Sequence, residues 1–224
     1  LTFPLRPQAA LLHFMVPILS SKLWFPGPGT AQEDGLLAVG GDLSPERLLL
    51  AYRSGIFPWF NDDELILWFS PHQRFVLFPG HLRISSSMEQ IMRSGKFRVT
   101  VNQDFRSVIV NCAGVKRKGQ GGTWITKGMI NAYLRLHKLG HAHSVEVWQN
   151  EKLAGGLYGV AVGRVFCGES MFSLVSNASK MALIHVAGEL PYALIDCQVY
   201  TPHLASLGAE FISRKAYEKY LRQE

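Results

Sequence analysis

No stretch of this 224-residue chain is long and apolar enough to cross a bilayer. The most apolar segment, ALLHFMVPIL from Ala10 to Leu19, is broken by His13 and Pro17. No basic n-region, apolar core and cleavage site follow one another, so no secretory signal is expected. Cysteine is scarce. Cys112, Cys167 and Cys197 are odd in number and irregular in spacing, which argues against a disulfide scaffold and for a reduced, cytoplasmic protein. Neither CxxC nor HExxH occurs, and no metal or cofactor is expected. GGDLSPE, from Gly40 to Glu46, is not a GxGxxG turn between strand and helix, so no dinucleotide site is expected. A large excess of one charge is also missing. The 23 Lys and Arg against 17 Asp and Glu leave +6, which permits a nucleic-acid partner without requiring one.

What charge there is comes in clusters. Acids gather early, in QEDGLL and NDDEL, and bases gather in KRKGQ (Lys116 to Gln120) and from Arg214 to Arg222. Local density of this kind suits phosphate contact better than a net total does.

Residues 1–75 are rich in Pro, Gly and Trp and read as a small N-terminal domain of turns and short elements. One helix is predicted over Pro45–Ser54, capped by Ser44 and stopped by Gly55. Residues 76–224 read as a second, mixed unit. Helices are predicted in SSSMEQIMRSG, DFRSVIVNCAG and KGMINAYLRLHKLGHA, the last with Ile130, Tyr133, Leu134 and His137 on one face and Gly140 at its end. Three strands follow, HSVEVWQ, KLAGGLYGVAVG and VFCGESMFS, joined at Asn150 and Gly163 as an antiparallel meander. A helix capped by Ser176, the strand YALIDCQV, AEFIS and a terminal helix complete an α+β architecture of mixed layers.

Three places can carry chemistry. In LIDCQV, period-two alternation puts Asp196 and Gln198 on one strand face and Cys197 on the other. Asp is disfavoured inside strands. The pair is either a strand end capping a turn or a polar centre aimed into a cleft. In CGESMFS, alternation puts Cys167, Glu169, Met171 and Ser173 in one row. A carboxylate beside a Met suits the mouth of a pocket for an apolar side chain, and a core Met beside a rim ion pair suits it as well. Trp124 follows a loop holding Lys116, Arg117 and Lys118. A base-stacking platform and a core anchor are both open there.

Taken in order, several segments resemble the leucyl/phenylalanyl-tRNA–protein transferase family. They are DGLLAVGGDLSPERLLLAYRSGIFPWF (Asp34 to Phe60), LWFSPHQR, GTWIT, GHAHSVEVW, LAGGLYGVAVGRVFCGESMFS, NASK, LIDCQV and HLASLGAEFISR, which span roughly residues 34–214. The resemblance implies transfer of Leu or Phe, and less well Met, from aminoacyl-tRNA to the α-amine of proteins beginning with Arg or Lys. The tagged protein then goes to a Clp-type protease. It implies a C-terminal domain similar to the GCN5-related acetyltransferase fold, and a monomer. It implies Asp196 and Gln198 as the catalytic pair with Glu169 in the active site, and Met171, with Cys167 and Ser173 in its row, at the aminoacyl pocket. Trp59 and Trp124 would hold the tRNA 3′ end, and Lys116, Arg117 and Lys118 the phosphates.

Two other functions compete. One is a coenzyme A-dependent N-acyltransferase, against which stands the lack of a Q/R-x-x-G-x-G/A loop after the central strands. The other is a tRNA- or peptide-binding module without catalysis, which a scattered placement of Glu169, Asp196 and Gln198 would favour.

Overall fold

Turn residues divide the chain into short elements, which the computed structural model, describing residues 16–61, 65–115 and 125–222, arranges in two sheets. The smaller sheet holds β1 (Ile18–Leu19), β2 (Leu36–Gly40), β3 (Phe57–Pro58) and β4 (Leu67–Phe69), in the order β1-β2-β4-β3. Helix α1 (Pro45–Arg53) lies between β2 and β3. Ser44 Oγ accepts from Arg47 N at its start, and Gly55 (φ +72) turns the chain out of its end.

The larger sheet holds β5 (Gln73–Leu77), β6 (Arg98–Val101), β7 (Ala142–Gln149), β8 (Lys152–Val162), β9 (Val165–Ser173), β10 (Leu194–Gln198) and β11 (Glu210–Ser213). Its order is β11-β5-β10-β9-β8-β7-β6. The expected meander is β7, β8 and β9. Asn150 and Glu151 (φ 49 and 57) form its first turn, the left-handed pair that matches strand twist. Beyond it, β10 runs parallel to β9 and antiparallel to β5. The boundary expected after residue 75 falls inside β5.

The remaining helices are α2 (Ser86–Arg93), α3 (Phe105–Gly114), α4 (Lys127–Lys138), α5 (Ala178–Glu189), α6 (Pro202–Ser206) and α7 (Arg214–Leu221). Helices α1, α3 and α4 share a core with the small sheet and one face of the large one. Helices α2 and α5 close the other face. No helix of the described residues is long and apolar enough to cross a membrane.

Helix α5 departs from its sequence reading. Asn177, in the left-handed region (φ 73), precedes its first turn, while Ser176 is exposed and caps nothing. The helix is not one-sided. Ala178, Met181, Ala182, Leu183, Ile184, Val186 and Ala187 are all buried, as suits a helix apolar almost all round. Gly155 permits the approach, since a Cβ there would lie 2.6 Å from Ala178 Cβ. On α4 the buried face is Met129, Ala132, Tyr133 and Leu136, rotated from the expected stripe. His137 instead stacks on Phe105 at 4.3 Å and donates from Nδ1 to Ala142 O at 2.8 Å.

Candidate active site

Two irregularities in the large sheet build the site. The first is in β9. Gly159 pairs with Gly168 and Tyr158 with Ser170, so Glu169 is an extra residue in the strand. One added residue turns every later side chain to the opposite face. Cys167 therefore joins the core beside the small sheet, and Met171 packs toward α5. The single row of Cys167, Glu169, Met171 and Ser173 is corrected for this reason. Gly159 sits opposite the bulge, where a Cβ would come within 2.3 Å of Cys167 O.

The second irregularity is at the end of β10. Asp196 pairs with Val76 and Gln198 with Phe75, again one residue out of step. Gln198 has φ +58, a strained value for a side chain of its kind. Asp196 and Gln198 thus do not share a plain strand face. They meet because Asp196 Oδ1 accepts from Gln198 N at 2.9 Å.

Between these features lies a cavity of about 430 Å³. Leu157, Phe166, Met171, Leu183 and Ile195 give it an apolar floor, and Phe57, Pro58 and Trp59 bring a wall from the small sheet. Glu169, Ser170, Asp196, Cys197 and Gln198 supply its polar side. Trp59 packs edge-on against Phe69 at 5.8 Å.

The polar side is one connected network. Gln198 Nε2 donates to Glu169 Oε1 at 2.7 Å, and Tyr133 OH donates to Glu169 Oε2 at 3.0 Å. The Tyr133 hydroxyl also meets that of Tyr52, from α1. Burial pushes the Glu169 carboxyl up to about 7, against the hydrogen bonds of Tyr52, Tyr133 and Gln198. The nearby Asp196 adds to the rise. Burial also holds the Tyr52 and Tyr133 phenols well above their usual range, so both remain donors at neutral pH.

Asp196, fully buried, is paired with Arg74 of β5, and Tyr217 OH of α7 donates to its Oδ2 at 2.8 Å. Burial works against the charge on Arg74, but the charge and hydrogen bond of Asp196, together with Tyr217 and Cys167 beside it, outweigh burial and hold the guanidinium protonated.

Of the predicted residues, the structure brings together Glu169, Met171, Asp196, Gln198 and Trp59. It does not bring Cys167 or Ser173 to the cavity. Cys167 is fully buried with Sγ 3.5 Å from Tyr217 OH, its thiol pushed up by burial. Ser173 is exposed at the end of β9 and accepts from Ser179 N at 3.3 Å. Lys116, Arg117, Lys118 and Trp124 lie outside the described residues. Among the described residues, no group of three or more His, Cys, Asp or Glu is placed to hold a metal ion.

Tyr52, Arg74 and Tyr217 were missed in the sequence, and Tyr133 was read only as part of a helix face. Arg74 left a signal, because a single Arg inside the apolar strand QRFVL implies a buried partner. The tyrosines left none.

The leucyl/phenylalanyl-tRNA protein transferase family matches residues 76–222, and its N-terminal domain matches residues 41–72. A leucyl/phenylalanyl-tRNA–protein transferase of Flavobacterium psychrophilum is 55% identical over 215 residues, covering 95% of this chain and 100% of that protein. One from Shigella dysenteriae is 51% identical over 214 residues, covering 93% and 90%. Two solved structures that it matches are far more distant. A GCN5-related N-acetyltransferase from Kribbella flavida has 10% identity and a TM-score of 0.37, covering 74% of this chain and 60% of that one. L-PGS from Bacillus licheniformis has 11% identity and a TM-score of 0.39, covering 76% and 57%. The sequence matches decide the question: this chain belongs to the leucyl/phenylalanyl-tRNA protein transferase family and is an enzyme of it.

Proposed function

We propose that this enzyme moves leucine or phenylalanine, and less well methionine, from the 3′ end of an aminoacyl-tRNA to the α-amine of a protein beginning with Arg or Lys. The observation that carries the reading is the cavity, apolar on its floor and ending at the Glu169–Gln198–Asp196 network. Met171 and its apolar neighbours hold the transferred side chain. Trp59, with Trp124, holds the terminal adenosine, and Lys116, Arg117 and Lys118 meet phosphates. The product, now beginning with Leu or Phe, is taken up by a Clp-type protease. We read the unit built on the large sheet as acetyltransferase-like and catalytic, and the smaller unit built on β1 to β4 as one that lends Trp59.

The reaction is aminolysis of an ester. The amine nitrogen bonds to the carbonyl carbon, the carbon–oxygen bond to the ribose breaks, and the proton lost by the amine ends on the ribose oxygen. Free α-amines have a pKa near about 8, so orientation and the developing oxyanion limit the rate more than basicity does. An amide oxygen is a weak base. Gln198 therefore orients and polarises the incoming amine instead of taking its proton for good, held at its amide by Glu169 and at its backbone N–H by Asp196.

What favours a tRNA donor over acyl-coenzyme A is the start of α5. Residues 174–178 contain no glycine, and Ser173 Oγ already accepts from Ser179 N, a donor that a pyrophosphate would need. The test is transfer of labelled leucine from charged tRNA to a peptide with N-terminal Arg, beside one with N-terminal Ala. Label on the Arg peptide alone is expected. Label from acetyl-coenzyme A instead, or none, would overturn the reading.

A further inference from the structure

We propose that Arg74, clamped between the rings of Phe57 and Tyr217, is a positioning residue that fixes the left-handed turn at Gln198 by holding Asp196. The inference rests on the reading above, in which Gln198 meets the acceptor amine.

Arg74 is 2% exposed. Its guanidinium carbon lies 4.8 Å from the centre of the Phe57 ring and 4.6 Å from that of Tyr217. Nη1 donates to Gly55 O at 3.1 Å, and Nη2 pairs with Asp196 Oδ2. Both oxygens of Asp196 are engaged. Oδ2 takes Arg74 and the Tyr217 hydroxyl, and Oδ1 takes the backbone N–H of Gln198. The charge on Asp196 is thus spent on holding, not left free to exchange a proton with substrate.

Stability does not account for this arrangement. A buried ion pair often stabilises a fold no more than apolar residues of the same volume. Arg74 Nε is buried and finds no hydrogen-bond partner, which is a further cost. The turn it maintains puts Gln198 at φ +58, where L side chains are strained. Two of these features lie at Arg74 and the third at Gln198, the turn that Arg74 holds through Asp196. The same guanidinium also grips Gly55 and Phe57, which lead into the Trp59 wall. Arg74 therefore joins the two walls of the cavity and sets the distance between Gln198 and whatever Trp59 touches.

Arg74→Ala would leave a slot between two aromatic faces that a free guanidinium fits. Transfer by the wild type is measured first, and its absence would overturn both the reaction and this inference. With the wild type active, Arg74→Ala is expected to lower kcat at least about tenfold while KM for aminoacyl-tRNA stays within about threefold, since the interaction orients the reaction instead of binding substrate. Millimolar methylguanidinium should restore kcat several-fold in the variant and leave the wild type unchanged, a gain that a purely structural role would not produce. If Arg74→Ala does not fold, Tyr217→Phe decides, because it removes only the hydroxyl that bonds Asp196. It should lower kcat about threefold or more at unchanged KM. A loss confined to KM, a kcat loss that methylguanidinium does not relieve, or wild-type kcat in Tyr217→Phe would overturn the inference.

Discussion

Gln198 Nε2 faces Glu169 Oε1 across 2.7 Å, from the end of one strand to the bulge of its neighbour. An ionised carboxylate only accepts, so it fixes which way the amide points and leaves Gln198 Oε1 turned away from it. A protonated Glu169 could donate instead and reverse the amide. The two residues form one unit whose orientation follows the charge on Glu169.

That charge has a consequence for stability. The Glu169 carboxyl is raised from 4.5 to about 7 in the folded chain. The folded state then holds the proton more tightly than the unfolded one between those values. Stability is expected to fall as pH rises through that window, and Glu169→Gln should remove this part of the slope. Urea unfolding of both proteins from pH 4.5 to pH 8 measures it. Parallel profiles would show that Glu169 is not raised.

Strain at Gln198 makes a second prediction. Gln198→Gly relaxes the left-handed backbone, a gain of about 1 kcal/mol that offsets the lost hydrogen bond to Glu169. The variant should melt no lower than the wild type, yet transfer at least about a hundredfold more slowly, because its amide is gone. A large drop in Tm would mean that the side chain serves the fold first.

Met171 lies on the cavity floor beside Leu157 and Leu183. Met171→Phe replaces an adaptable chain with a rigid ring in a fixed volume. Phenylalanine transfer is expected to fall about tenfold more than leucine transfer, since size discrimination in apolar pockets runs about 1–3 kcal/mol per methylene. Competing labelled Leu-tRNA and Phe-tRNA in one reaction gives the ratio of kcat/KM directly. An unchanged ratio would place the side-chain pocket elsewhere.

Gly155→Ala tests the seat of α5. The new methyl would fall 2.6 Å from Ala178 Cβ, so the helix must lift. Overpacking of this kind costs about 1–3 kcal/mol. Thermal melting should show it, and an unshifted Tm would mean that the helix moves freely.

Much of the fold was legible because local rules set it. Ser44, Gly55 and Asn150 mark ends and turns that need no distant partner. The meander was legible for the same reason. Side-chain facing in β9 and β10 was not, because alternation assumes an unbroken strand and each carries one residue out of step. Glu169, Asp196 and Gln198 could be picked out as polar groups in apolar surroundings. Their partners could not. Arg74 and Asp196 are 122 positions apart, and Tyr52 and Tyr133 are 81 apart. Nothing local records such pairings.

The cavity draws its walls from two sheets that are hydrogen-bonded separately, with Phe57 and Trp59 on one side and β9 and β10 on the other. A molecule seated there is a wedge that touches both. Part of its binding free energy goes into holding the sheets in register. The amide hydrogens of Phe57 and of β9 should then exchange more slowly together when the cavity fills, although no peptide group of either strand need touch the guest.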